Sequence, residues 1–134
     1  PERMRDIPRR AARAGAEVDV LDARRLEALA GRCDLVFVDA PCSGSGSWRR
    51  DPGGKWRLTP RRLDALVAAQ GRILAEASRF ARPGGRLVYA VCSLLAAEAS
   101  PPAPPGFRLV ARRALTPAQG CDGFAMLAFT SASG

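Results

Sequence analysis

"LVFVDAPCSGSG", residues 35–46, holds an apolar run, then an aspartate, a proline and a cysteine inside a glycine- and serine-rich loop. Asp34–Asp39 is a continuous apolar stretch with an acid at each end, the pattern of a strand buried on both faces of a parallel sheet. A structural cysteine belongs inside such a run, where it packs as a small hydrophobe. Cys42 comes just after it, in a segment that glycine holds open. That position indicates chemistry.

Working outward, Met4, Ile7 and Ala11 recur at helical spacing across residues 1–14, and Gly15 can end that helix. Val18–Leu21 is expected to form a short strand with Asp22 at its carboxyl end, and Arg24–Ala30 a brief helix closed by Gly31. Residues 40–58 form a long loop rich in Gly, Ser, Arg and Trp. Thr59 caps the next helix and Pro60 occupies its first turn, where a missing N–H costs nothing. Leu63, Leu66, Val67, Leu74, Ala77 and Ala81 mark its buried stripe, and "RPGG" at 82–85 is expected to stop it. Arg86–Val91 reads as a strand ending at Cys92, and "SPPAPPG" (100–106) as a rigid connector. Phe107–Arg112 and Phe124–Thr130 close the chain as antiparallel neighbours with a turn near Gly120–Gly123.

This alternation predicts a doubly wound α/β fold, in which ligands bind outside the carboxyl ends of the strands. Asp22, Asp39 and Cys92 fall at those ends, with Cys42 just past one. Neighbouring parallel strands lie about 4.8 Å apart. If the strands ending at Asp39 and Cys92 are adjacent, their tips gather Asp39, Cys42 and Cys92 around one pocket.

Composition narrows the chemistry. The 134 residues suit one domain with a modest core, and 47% hydrophobic content excludes a chain disordered by composition. The +8 charge fits either an arginine-rich soluble surface or a polyanionic partner such as nucleic acid. Histidine is absent, which excludes a Ser-His-Asp triad, a Cys-His dyad and histidine-ligated zinc within these residues. Cys33, Cys42, Cys92 and Cys121 contain no CxxC pair, so no zinc or other metal site is expected, and free thiols in a reducing, cytoplasmic setting are. The apolar stretch around Leu87–Ala97 is too short for a bilayer, so no membrane partner is expected. Arg49, Arg50 and Lys55 can supply a positive field that favours a thiolate at the pocket. Trp48 and Trp56 either stack on bases or pin their loop to the surface.

"DAPCSGSG" and "VYAVCSLL" resemble the two signature segments of the RNA 5-methylcytosine methyltransferases, the Sun/NOL1/NOP2 group. The likeness continues through "RRDP" and "KW" at 49–56, Gln70, "PGGRLVYA" and "DGFAMLAF" at 122–129, and is strongest to bacterial members acting on small-subunit ribosomal RNA. It implies a Rossmann-like, S-adenosylmethionine-dependent methyltransferase fold. Its sheet is mostly parallel with a closing antiparallel pair, in the strand order 3-2-1-4-5-7-6. Residues 1–134 would be a partial catalytic domain, without the glycine-rich cofactor loop and the first two strands.

The resemblance also implies roles. The cysteine matching Cys92 attacks carbon 6 of cytosine, that matching Cys42 assists release, and the aspartate matching Asp39 contacts the ring. Asp22, Asp39 and Arg3 would touch the cofactor, and Arg49, Arg50, Lys55 and Arg57 the RNA, ribosomal RNA first and transfer RNA second. Val91 departs from the family's usual threonine, and "SLLAAEAS" keeps one acid, Glu98, where a second acid and an asparagine are common. A chain lacking its first strands is expected to self-associate through an exposed "LVFV" edge and to bind cofactor poorly. The competing reading is a non-catalytic basic RNA-binding module.

Overall fold

The computed structural model describes residues 4–132. Its elements run α1 (Ile7–Ala14), α2 (Ala23–Glu27), β1 (Cys33–Asp39), α3 (Gly54–Arg57), α4 (Pro60–Ser78), β2 (Ala81–Val91), α5 (Ala96–Ala99), β3 (Phe107–Leu115) and β4 (Phe124–Ser131). The four strands form one sheet in the order β1-β2-β4-β3. β1 runs parallel to β2, while β4 is antiparallel to both β2 and β3. This order is the one the resemblance implies for the fourth, fifth, seventh and sixth strands.

The β1-to-β2 crossover is carried by α4. Thr59 accepts the Arg62 N–H at 3.2 Å and Pro60 opens the first turn, so this terminus forms as its residues dictate. α4 turns Leu74 and Gln70, each 2% exposed, toward the sheet. Val38, Leu87, Tyr89, Val91, Ala125, Leu127 and Phe129 complete the core there, with Ile73 and Ala77 packed against it. Burying a side chain such as Leu74 contributes about 2 kcal/mol. Period-two alternation places Leu35 and Phe37 of β1 on the other face, where they are 57% and 59% exposed. Among the described residues β1 pairs only with β2 and so forms an edge of this sheet.

Several boundaries differ from expectation. Val18–Leu21 forms no strand, and Val18 is 51% exposed. An extended segment needs a neighbour for its backbone groups, and none of the described strands pairs with this one. Asp22 therefore ends no strand; it caps α2, accepting the Arg25 N–H at 2.9 Å. α4 stops at Ser78, before "RPGG", and Ala81 belongs to β2, paired with Cys33. The register shifts between Cys33 and Leu35, and Gly84 takes a φ of 71°. A Cβ on Gly85 would lie 3.0 Å from the Cys33 carbonyl oxygen, so "PGG" lets the start of β2 fold closely against β1 instead of terminating a helix. β3 runs three residues past Arg112, after a register shift between Leu109 and Ala111.

Candidate active site

β1 and β2 remain paired to their carboxyl tips, where the Ala40 N–H donates to the Ala90 carbonyl at 3.0 Å. The chain leaves β1 through Pro41 into Cys42 and leaves β2 directly into Cys92. Parallel pairing thus gathers residues fifty positions apart. The two Sγ atoms are 3.2 Å apart, in contact as free thiols. Asp39 is the last residue of β1, three positions before Cys42, and is exposed. All three residues expected at the pocket stand on the rim formed by these two strand ends.

The loops that carry the thiols are held from beneath by Glu98, an acid that the sequence showed as retained but to which it gave no role. Glu98, on α5, is fully buried. Its carboxylate accepts the Ser43 N–H at 2.8 Å, the Ser43 hydroxyl at 2.6 Å, the Ser93 hydroxyl at 2.5 Å and the Gln70 amide at 2.9 Å. The same Gln70 nitrogen donates to the Pro41 carbonyl at 2.9 Å. Ser45 and Ser93 hydroxyls meet at 2.9 Å, and the Gly46 N–H reaches the Cys92 carbonyl at 3.0 Å. The Tyr89 hydroxyl donates to the Glu98 carbonyl oxygen at 2.8 Å. The available signal was a single acid among alanines, "AAEA", just before a proline-rich stretch; nothing local says that it turns inward.

Burial acts on the Cys42 thiol. Burial, followed by the hydrogen bond with Cys92, pushes the Cys42 thiol from 9.0 up to about 12. Cys42 therefore holds its proton at neutral pH. Burial also pushes the Tyr89 phenol up, with the Glu98 carboxylate adding to the effect.

The basic loop is less free than its composition implies. Arg49 and Arg50 both pair with Asp122, whose side chain is 12% exposed, and Arg57 pairs with Asp51. Lys55 lies 4.7 Å from the centroid of the Trp56 ring, which is 79% exposed. Trp48 instead packs against Gly54, where a Cβ would meet its ring at 2.8 Å. One tryptophan pins the loop and the other stands in solvent. A polar cavity of about 60 Å³ opens beside Ser43, lined by Asp51, Gly54, Arg57, Leu58 and Arg62. Asp22 is exposed at the start of α2, and Arg3 lies outside the described residues. Among the described residues no cluster of three His, Cys, Asp or Glu could hold a metal, and no helix is long and apolar enough to cross a membrane.

The family model for 16S rRNA methyltransferase RsmB/F matches residues 1–102. The chain belongs to the RsmB/F family. That match takes in Cys42, Cys92 and the Glu98 cluster together. RsmB/F-type relatives include ribosomal RNA small subunit methyltransferase B of Klebsiella pneumoniae, 41% identical over 87 residues, which are 63% of this chain and 20% of that protein. The enzyme of the same name from Xanthomonas campestris is 46% identical over 65 residues, 48% of this chain and 15% of its own. The chain thus spans about a fifth or less of these relatives. The crystal structure of PH0851 superposes with a TM-score of 0.78 at 26% identity, covering 96% of this chain and 34% of that one. NSun6 from Pyrococcus horikoshii, solved with SFG, gives 0.72 at 20% identity over 99% of this chain and 40% of its own. These likenesses identify the sheet as the Rossmann-like methyltransferase fold.

Proposed function

We propose that the protein carrying this chain methylates carbon 5 of cytosine in RNA, small-subunit ribosomal RNA by preference, in the cytoplasm. The observation that carries the reading is the pair of thiols from two separate loops, 3.2 Å apart at the carboxyl ends of adjacent parallel strands. A binding module has no need of such a pair.

In this reading Cys92 forms the bond to carbon 6 of a cytosine lifted from its stack, and the ring's electron pair moves to carbon 5. Cys42, which keeps its proton in the free site, assists later: after that proton has passed to solvent its thiolate takes the carbon 5 proton, and the freed electron pair re-forms the ring double bond and expels Cys92 as a thiolate. Asp39, exposed at the rim, contacts the ring as charge develops. S-adenosylmethionine supplies the methyl group when bound. The exposed carboxylates of Asp39 and Asp22 would hold such a ligand as acceptors for its hydroxyl and amino groups. Trp56 and Lys55 offer a stacking surface and a phosphate contact. Arg49, Arg50 and Arg57 contribute to RNA binding less than their number implies, because acids already pair with them.

The test is a denaturing gel of the full-length protein with its RNA and S-adenosylmethionine. Cys92→Ala is expected to abolish methyl transfer, and Cys42→Ala to accumulate a covalent protein–RNA adduct. An adduct with Cys92→Ala and none with Cys42→Ala would reverse the two roles. Adduct in neither variant, with RNA binding intact, would favour the non-catalytic binding module.

A further inference from the structure

Glu98 bonds the residue that follows each cysteine. Ser43 is the neighbour of Cys42 and gives Glu98 both its N–H and its hydroxyl; Ser93 is the neighbour of Cys92 and gives its hydroxyl. Gln70 closes the arrangement from α4, bonding Glu98 and, through the same nitrogen, the Pro41 carbonyl on the other side of Cys42. Three elements that are remote in sequence therefore converge on one buried carboxylate. The Ser43 N–H and the Gln70 amide N–H can only donate, and the two serine hydroxyls donate here as well, so four bonds converge on one carboxylate. A glutamine of the same shape would keep the fit but replace these charge-assisted bonds with weaker neutral ones and force the hydroxyls to turn.

We propose that Glu98 is the positioning residue for both thiols, tying the loop after β1 to the turn after β2 so that Cys42 and Cys92 meet. The inference rests on the reading of these cysteines as the reacting pair, and it extends that reading to a residue that touches neither sulfur. Glu98 fixes the backbone on which each thiol stands. The hydroxyl of Ser45 reinforces it by accepting the Leu94 N–H at 2.9 Å while meeting Ser93.

The thiol separation can be read without any substrate. Equilibration with glutathione converts two protein thiols and one glutathione disulfide into one protein disulfide and two glutathione thiols. The equilibrium constant is the effective concentration of Cys42 against Cys92. Measured on the full-length protein, Glu98→Gln is expected to lower that constant about tenfold, the size of one lost hydrogen bond to a charged group. Phe129→Leu, a core change of comparable thermal cost far along β4, is expected to leave it at the wild-type value, which separates positioning from general stability. Should Glu98→Gln fail to fold, Ser43→Ala, which removes one of the four bonds, is expected to lower the constant in the same direction. An unchanged constant in the folded variant, or a fall matched by Phe129→Leu, overturns the proposal. Failure of the methylation reading looks different: the constant responds to Glu98→Gln, yet Cys42→Ala traps no RNA.

Discussion

Glu98 and two of the residues that bond it, Ser93 and Gln70, are buried, with the half-buried Ser43 completing the set, whereas Val18, Asp19 and Val20 lie in a segment open to water. The two regions differ in where the partners of their polar groups come from. Around Glu98 the donors arrive from the loop after β1, the turn after β2 and the middle of α4. In the leading segment the bonds are local: Asp19 meets Arg25 at 2.5 Å and Asp22 caps α2. Polar groups stay buried only when donors and acceptors match, and here Ser43 and Gln70, remote in the chain, complete what the near neighbour Ser93 begins.

The largest effect should come from crowding the first region. The Gly46 N–H bonds the Cys92 carbonyl, and a Cβ on Gly46 would lie 1.9 Å from the Gly123 oxygen. Gly46→Ala is expected to cost about 3 kcal/mol, measured by denaturant unfolding, because backbone faces backbone there and neither can yield. A loss near zero would mean that this rim is far looser than its hydrogen bonds imply.

A smaller effect comes through Cys42. Its thiol ionises at a higher pH in the folded state than in the unfolded, so between 9.0 and about 12 the folded state keeps a proton that the unfolded state releases. The stabilisation is complete below that window and declines as pH rises through it. Thermal midpoints should fall more steeply above about pH 9 for wild type than for Cys42→Ser. Parallel slopes would remove the buried-thiol explanation.

Smaller still is the expected change at the open edge. Leu35 and Phe37 are more than half exposed on β1. Replacing both with lysine should leave unfolding nearly unchanged while reducing any self-association seen by sedimentation, since charged edges resist pairing. The smallest response belongs to the leading segment: Val18→Ser with Val20→Ser is expected to shift stability by no more than about 0.5 kcal/mol, as for exposed positions generally. A loss several times larger would show that these valines are covered in solution.

What the sequence by itself determined is what local chemistry dictates. The apolar run at 35–38 became β1, Thr59 with Pro60 opened α4, Gly15 ended α1 in the left-handed region, and the loop after β1 presented Cys42 at the strand end. The two cysteine segments also carried the family resemblance. Tertiary structure decided what depends on partners remote in the chain. It left Val18–Leu21 unpaired because strand pattern without a neighbour satisfies no backbone group, and it drew "RPGG" into β2 because Gly85 could approach Cys33. It turned the one acid of "AAEA" inward, because Ser43, Ser93 and Gln70 arrive there together as donors, and only the folded sheet brings them to the same point.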